Sequence, residues 1–221
     1  MAGHTGRMPA PERPGLPPPA VVTIGTFDGV HRGHQHLLQQ VVARARTLGV
    51  RAAVVTFDPH PRQVVRPAVR VPQLIATPER VRRLRALGLD DVWVCQFTPA
   101  LARLAPEAFL ALVAQRWTIR ELWVGHDFAL GRGRAGDPAA LRRLGQQRGW
   151  PVRVVPPLRL GGEIVSSSRI RRLLEAQRLA EATFLLGAAA AQPSCVALGS
   201  RGGQAPRSDG RSCGGAAGWS G

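Results

Sequence analysis

The chain has 221 residues, 44% of them apolar, which is enough to bury a core and too many for a disordered or fibrous chain. No window approaches eighteen uninterrupted apolar residues, and the first twenty residues carry six prolines with Arg7, Glu12 and Arg13 in place of a basic cap and an apolar run. That pattern argues against a membrane span and a secretory signal, and for a cytoplasmic protein. The net charge is +16, yet all 30 basic residues are Arg, and Lys, Asn and Tyr are absent. Those three types share AT-rich codons, so a GC-rich genome accounts for the excess; the arginines are also spread out rather than clustered with aromatics, so no nucleic-acid surface is expected. Cys95, Cys195 and Cys213 are odd in number and sparse, so neither disulfides nor a zinc site is expected.

Residues 1–19 are rich in Pro and Gly and read as a loose leader. From Ala20 onward, β-rich runs at 20–24, 51–57, 91–97, 121–125 and 151–155 alternate with segments whose apolar residues recur three and four apart. Strands interleaved with helices predict an α/β domain over 20–187, a five-stranded parallel sheet with helices on both faces. Thr77-Pro78 and Asp137-Pro138 place a capping side chain before a proline and predict helices from 78 and 138; Ala105-Pro106 opens another, reaching Trp117. Residues 158–165, broken by Gly161-Gly162, read as a hairpin, Ser166 to Ser168 cap a helix near Arg169, and 179–186 form a last short helix. Beyond Gly187 only Val196, Leu198 and Trp219 are large and apolar, so residues 188–221 are expected to be a disordered tail.

The first strand runs into Gly25-Thr26-Phe27-Asp28-Gly29-Val30-His31-Arg32-Gly33-His34, with a helix from about Gly33. Glycines there let the backbone approach a ligand, and the helix start offers bare N–H groups and a positive dipole end, so an anion belongs at this turn. His31 and His34 can both donate to phosphate oxygens; capping of the helix is the alternative use of the same imidazoles, and metal ligation lacks a nearby third ligand. Three further strings lie at strand ends or helix starts: Thr56-Phe57-Asp58-Pro59-His60-Pro61, Val124-Gly125-His126-Asp127-Phe128 leading to Gly131–Asp137, and Val165-Ser166-Ser167-Ser168-Arg169-Ile170-Arg171. That is the ligand edge of an open parallel sheet.

The first string resembles the signature of the nucleotidylyltransferase superfamily. The four together resemble the adenylyltransferase module of the prokaryotic FAD synthetases, the bifunctional riboflavin kinase/FMN adenylyltransferases, over about residues 20–187. The resemblance implies a Rossmann-like nucleotidylyltransferase fold and transfer of AMP from ATP to FMN, giving FAD and pyrophosphate. It assigns Gly25, Thr26, Phe27, His31, Gly33 and His34 to the ATP site, and Ser167, Ser168 and Arg169 to the leaving phosphates. Within that set His31, His34, Ser168 and Arg169 are the expected catalytic groups. Pro59, His60 and Pro61 wall the flavin pocket, with Asp127 and Phe128 where flavin and nucleotide meet. Mg²⁺ is the implied cofactor, held mainly by phosphates and water.

Two departures bear on FMN: Thr26 stands where the family often has Asn, and Val64 and Val65 where it often has an aromatic residue. No riboflavin phosphorylation is expected, because the stretch after Gly187 does not resemble the kinase module. The reading names ATP and FMN as small-molecule partners, with neither nucleic acid nor membrane, and it assigns no oligomeric state. Its runner-up is another nucleotidylyltransferase, such as a polyol-phosphate cytidylyltransferase, followed by a basic nucleic-acid-binding module favoured by charge alone. Elsewhere, Cys95 and Trp93, Trp117, Trp123 and Trp150 are assigned to packing, His36 to the surface, Asp58 and Asp127 to loop capping as readily as to chemistry, and Arg82, Arg83 and Arg85 to one solvated helix face.

Overall fold

A computed structural model describes residues 15–187; the expected tail at 188–221 and most of the leader lie outside the described residues. Five strands, β1 (Pro19–Ile24), β2 (Arg51–Asp58), β3 (Asp91–Gln96), β4 (Thr118–Gly125) and β5 (Val152–Val155), form one parallel sheet in the order β3-β2-β1-β4-β5. The order reverses on either side of β1, so the carboxyl ends of β1, β2 and β4 border one crevice, the usual ligand position in such sheets.

Alternating β1 residues face opposite sides. Ala20, Val22 and Ile24 join Phe109, Leu110 and Val113 of α5 (Pro106–Ala114) and Leu141 of α6 (Pro138–Arg148). Val21 packs against Leu38, Val41 and Val42 of α1 (Arg32–Leu48) and Leu84 of α3 (Thr77–Ala86). Two short helices, α2 (Pro61–Val65) and α4 (Pro99–Ala102), sit on the loops after β2 and β3. A third apolar cluster joins α7 (Ser167–Glu175), α8 (Leu179–Leu186) and the hairpin β6/β7 (Arg159–Leu160, Glu163–Ile164) to Leu74.

Several local expectations need correction. Pro17 and Pro18, placed in the loose leader, accept hydrogen bonds from Thr118 Oγ1 and the Thr118 amide, and β1 already begins at Pro19. Thr77 caps nothing: α3 starts at Thr77 itself, and the hydroxyl accepts from Arg80 Nη2 at 2.9 Å. α5 ends at Ala114, leaving Trp117 buried in the turn to β4, where its indole N–H donates to Asp91. Arg83 does not share the solvated face with Arg82: it is buried and paired with Glu79 at 2.6 Å. His36 is half-buried rather than on the surface. Cys95 and the four tryptophans do pack into the two sheet faces.

Asp137 caps as its spacing predicts, its Oδ1 accepting from the Ala140 amide at 2.8 Å. Asp137→Ala is expected to cost about 1 kcal/mol, read as a shift in the urea midpoint at unchanged m-value.

Candidate active site

β1 ends with the Gly25 amide donating to Val55 O of β2, and the chain then turns through Phe27 in the left-handed region (φ 48). Phe27 tolerates that conformation because its ring is buried under the turn, where a Cβ on Gly25 would lie 3.0 Å from it. Asp28–Val30 form one 3₁₀ turn, His31 is extended, and α1 begins at Arg32. His31 Nδ1 accepts the His34 amide at 3.3 Å, so the imidazole caps α1. In the neutral ring the proton therefore sits on Nε2, which is free to donate to an anion. Capping and anion binding, alternatives in the sequence, are compatible uses of the two nitrogens.

The His31 and His34 rings stack, centroids 3.6 Å apart and 17° from parallel, and the edge of His34 meets Phe27. A Cβ on Gly33 would lie 2.9 Å from Val165 O and 3.2 Å from the His31 ring, so glycine there lets the segment before α7 close on the histidines. Burial dominates the titration of both rings. His31 is held down at about 4, with the Arg171 charge adding to the effect. His34 is pushed well below its ordinary value by burial, then by His31 and Arg80. Two imidazoles in van der Waals contact cannot both carry charge cheaply in such surroundings, and at neutral pH the pair is uncharged.

Because the folded state holds the His31 proton only near pH 4 while the unfolded chain holds it near 6.5, the unfolded state binds more protons in between. Stability is full above about pH 6.5 and is lost as the pH falls toward 4. Between pH 7.5 and 5 the free protein is expected to lose about 2 kcal/mol through His31. Urea unfolding at the two values measures this, and His31→Gln narrows the difference.

α7 is docked beside this turn by side chains from both partners. Ser166 Oγ caps it by accepting the Arg169 amide, and Ser167 Oγ donates to Asp28 O at 3.0 Å. Ser168 is exposed at the first turn. Arg169 turns away from the histidines: its Nε pairs with Glu163 at 2.8 Å and its Nη1 donates to Leu160 O and Glu163 O of the hairpin. Arg171 instead pairs with the buried Asp28 carboxylate, donates to Pro72 O, and bears electrostatically on His31 and His60. Asp28 also accepts from the Leu74 and Ile75 amides. Asp28 and Arg171, with Ser167, carry the contact between the histidine turn and α7.

At the end of β2, Pro59 is exposed, Pro61 half-buried, and His60 buried, its Nδ1 accepting the Arg62 amide to cap α2. His60 titrates below its ordinary value, chiefly from burial, with Asp28 opposing and Arg171, Arg62 and Arg80 adding to the shift. The segment thus shares its electrostatic surroundings with the histidine turn. Asp127 and Phe128 leave from β4, the other neighbour of β1; Asp127 is open to solvent while Phe128 packs on the α5/α6 side. Val65 is exposed beside the β2 loop. Among the described residues no three His, Cys, Asp or Glu gather to hold a metal ion, and the Asp28 carboxylate is already taken up by Arg171 and the Leu74 and Ile75 amides.

The FAD synthetase family profile matches residues 14–169. A Geobacillus thermodenitrificans protein named "Putative bifunctional riboflavin kinase/FMN adenylyltransferase" is 40% identical over 77% of this chain and 90% of that protein. The Escherichia coli K12 protein of that description is 34% identical over 76% of the chain, which spans only 54% of that relative. Among solved structures, a Streptococcus pneumoniae protein named for macrolide efflux superposes with a TM-score of 0.69 at 28% identity, covering 79% of this chain and 58% of that one. No helix among the described residues is long and apolar enough to cross a membrane. A match over well more than half of its length, on a sheet and helix arrangement that fits it, makes this chain a member of the FAD synthetase family.

Proposed function

We propose that the protein is an FMN adenylyltransferase that joins AMP from ATP to FMN and releases pyrophosphate. The observation that carries the reading is the pair of stacked, uncharged imidazoles at the α1 start, with the start of α7 drawn alongside through Ser167 and Asp28. Two helix N-termini converging on one turn suit a polyphosphate.

In the reaction an FMN phosphate oxygen attacks the α-phosphorus of ATP; a new P–O bond forms as the bond to the β-phosphate breaks, and pyrophosphate leaves with that electron pair. No covalent enzyme intermediate is needed, so the chain supplies placement and charge compensation. Gly25, Thr26, Phe27 and Gly33 shape the bed. His31 Nε2–H, His34 and the α1 amides donate to phosphate oxygens, and Ser168 offers a hydroxyl at the α7 start. Arg169 reaches the leaving phosphates only by releasing Glu163, whereas Arg171 already lies within electrostatic reach of His31. Pro59, His60 and Pro61 with Asp127 and Phe128 flank the flavin from the two neighbouring strands. Mg²⁺ belongs to the same proposal: the described residues build no cage for it, so it would be carried by the nucleotide's phosphates and water, lowering their charge. A cytoplasmic setting completes the proposal.

The test is incubation of the protein with ATP or CTP and either FMN or glycerol 3-phosphate, with products separated by chromatography. FAD from ATP and FMN is the expected outcome; turnover with CTP and glycerol 3-phosphate alone would replace the flavin reading by a cytidylyltransferase.

A further inference from the structure

Arg80 is the largest fully buried side chain of the described residues, 1% exposed, on the inner face of α3. Its Nη1 donates to Thr26 O at 3.0 Å, and its Nη2 to Phe57 O at 2.8 Å and Thr77 Oγ1 at 2.9 Å. Thr26 lies in the nucleotide turn after β1, and Phe57 is the last residue before Asp58-Pro59-His60-Pro61. Thr56 Oγ1 donates to the same Thr26 carbonyl at 2.9 Å. We propose that Arg80 is a positioning residue that fixes the ATP loop and the flavin loop at one spacing by gripping a main-chain carbonyl of each.

Packing alone does not explain a guanidinium at this place. Burying a charge is costly, and an apolar side chain of similar volume often serves a core as well or better. An apolar residue cannot donate to one carbonyl in the turn after β1 and another in β2, and neither can the single ammonium of Lys match the planar fork. Asp28 and Asp58 lie near enough to offset part of the cost, while Nε remains buried without a partner among the described residues. Because in-line transfer depends on the separation of two bound substrates, loosening this brace slows chemistry more than it weakens the binding of either one. The buried charge has a second consequence: after burial of the ring and the neighbouring His31, Arg80 from α3 adds to what disfavours a proton on His34.

The kinetic arm rests on the adenylyl-transfer reading; the spectroscopic arm does not. Arg80→Met is expected to lower kcat for FAD formation about 10²-fold, with Kd for ATP and for FMN each within threefold of the wild type. Arg80→Lys, which keeps the charge, is expected to fall about 10-fold. In ¹H–¹⁵N spectra of the imidazoles, the His34 transition is expected at higher pH in Arg80→Met than in the wild type or in Arg80→Lys. If Arg80→Met does not fold, Thr77→Val, which removes one anchor of the guanidinium, is expected to lower kcat threefold to tenfold, and Thr77→Ser to restore it. Wild-type kcat in the folded fraction of these variants, or a His34 titration unmoved in Arg80→Met, would overturn the proposal. Absence of FAD formation by the wild type would sink the adenylyl-transfer reading and leave the His34 titration to decide the role of Arg80.

Discussion

On the proposed adenylyl-transfer reading, His34→Ala is expected to lower FAD formation by about 10²- to 10³-fold while FMN binding and the far-ultraviolet spectrum stay as in the wild type. The size follows from the loss of one preorganised donor that, on this reading, is aimed at charge developing on the departing phosphates. The neutrality of the ring decides the character of the effect. A cationic side chain would hold the triphosphate of the ground state as firmly as the transition state, and its removal would raise KM. An uncharged imidazole contributes most where charge accumulates, so the loss falls on kcat. His34→Gln, which keeps a donor of similar reach, recovers part of the rate. The fold survives because His34 is only half-buried and its buried Nδ1 has no partner to lose. Unchanged kcat in His34→Ala, measured by FAD fluorescence with saturating ATP and FMN, would take the residue out of the catalytic set.

The sheet was readable in advance because each strand is a β-rich run with both faces covered: β1 to β5 appear within one to three residues of their expected bounds. The start of β4 was placed late because Thr118 and Arg120 are exposed edge positions around the buried Ile119. The glycine and histidine turn was legible for a similar reason. Gly25, Gly33, His31 and His34 act within ten residues, where spacing along the chain is also spacing in the fold.

What stayed hidden is the long-range polar wiring. Arg80, Asp28 and Arg171 come from α3, the histidine turn and α7, and no local pattern pairs residues 143 apart. One signal was present: Arg80 stands four residues before Leu84 and three after Thr77, on the buried stripe of α3. The solvated-face assignment covers Arg82, Arg83 and Arg85 and leaves Arg80 without a role. The serine run carried a comparable ambiguity. Its first hydroxyl caps the helix and its second is bound to Asp28, so only Ser168 remains exposed at the turn.

Asp28→Asn tests the junction between the histidine turn and α7, and it is expected to destabilise the protein by about 3 to 5 kcal/mol. The carboxylate is 1% exposed and its partner Arg171 only 12%, so screening by solvent is small. Removing the negative charge leaves a guanidinium uncompensated in a low-dielectric setting. The amide of Asn retains one oxygen, which can still accept from the Leu74 or Ile75 N–H groups, so the turn keeps part of its backbone anchoring while the ion pair is lost. The double variant Asp28→Asn, Arg171→Met removes both charges and is expected to recover more than half of the lost stability, because the cost lies in the orphaned charge rather than in missing contacts. A double-mutant cycle by urea unfolding at pH 7.5 separates the two. Equal loss in the single and double variants would mean that the pair contributes packing alone, and that α7 is held against the turn by Ser167 and the Leu74 cluster instead.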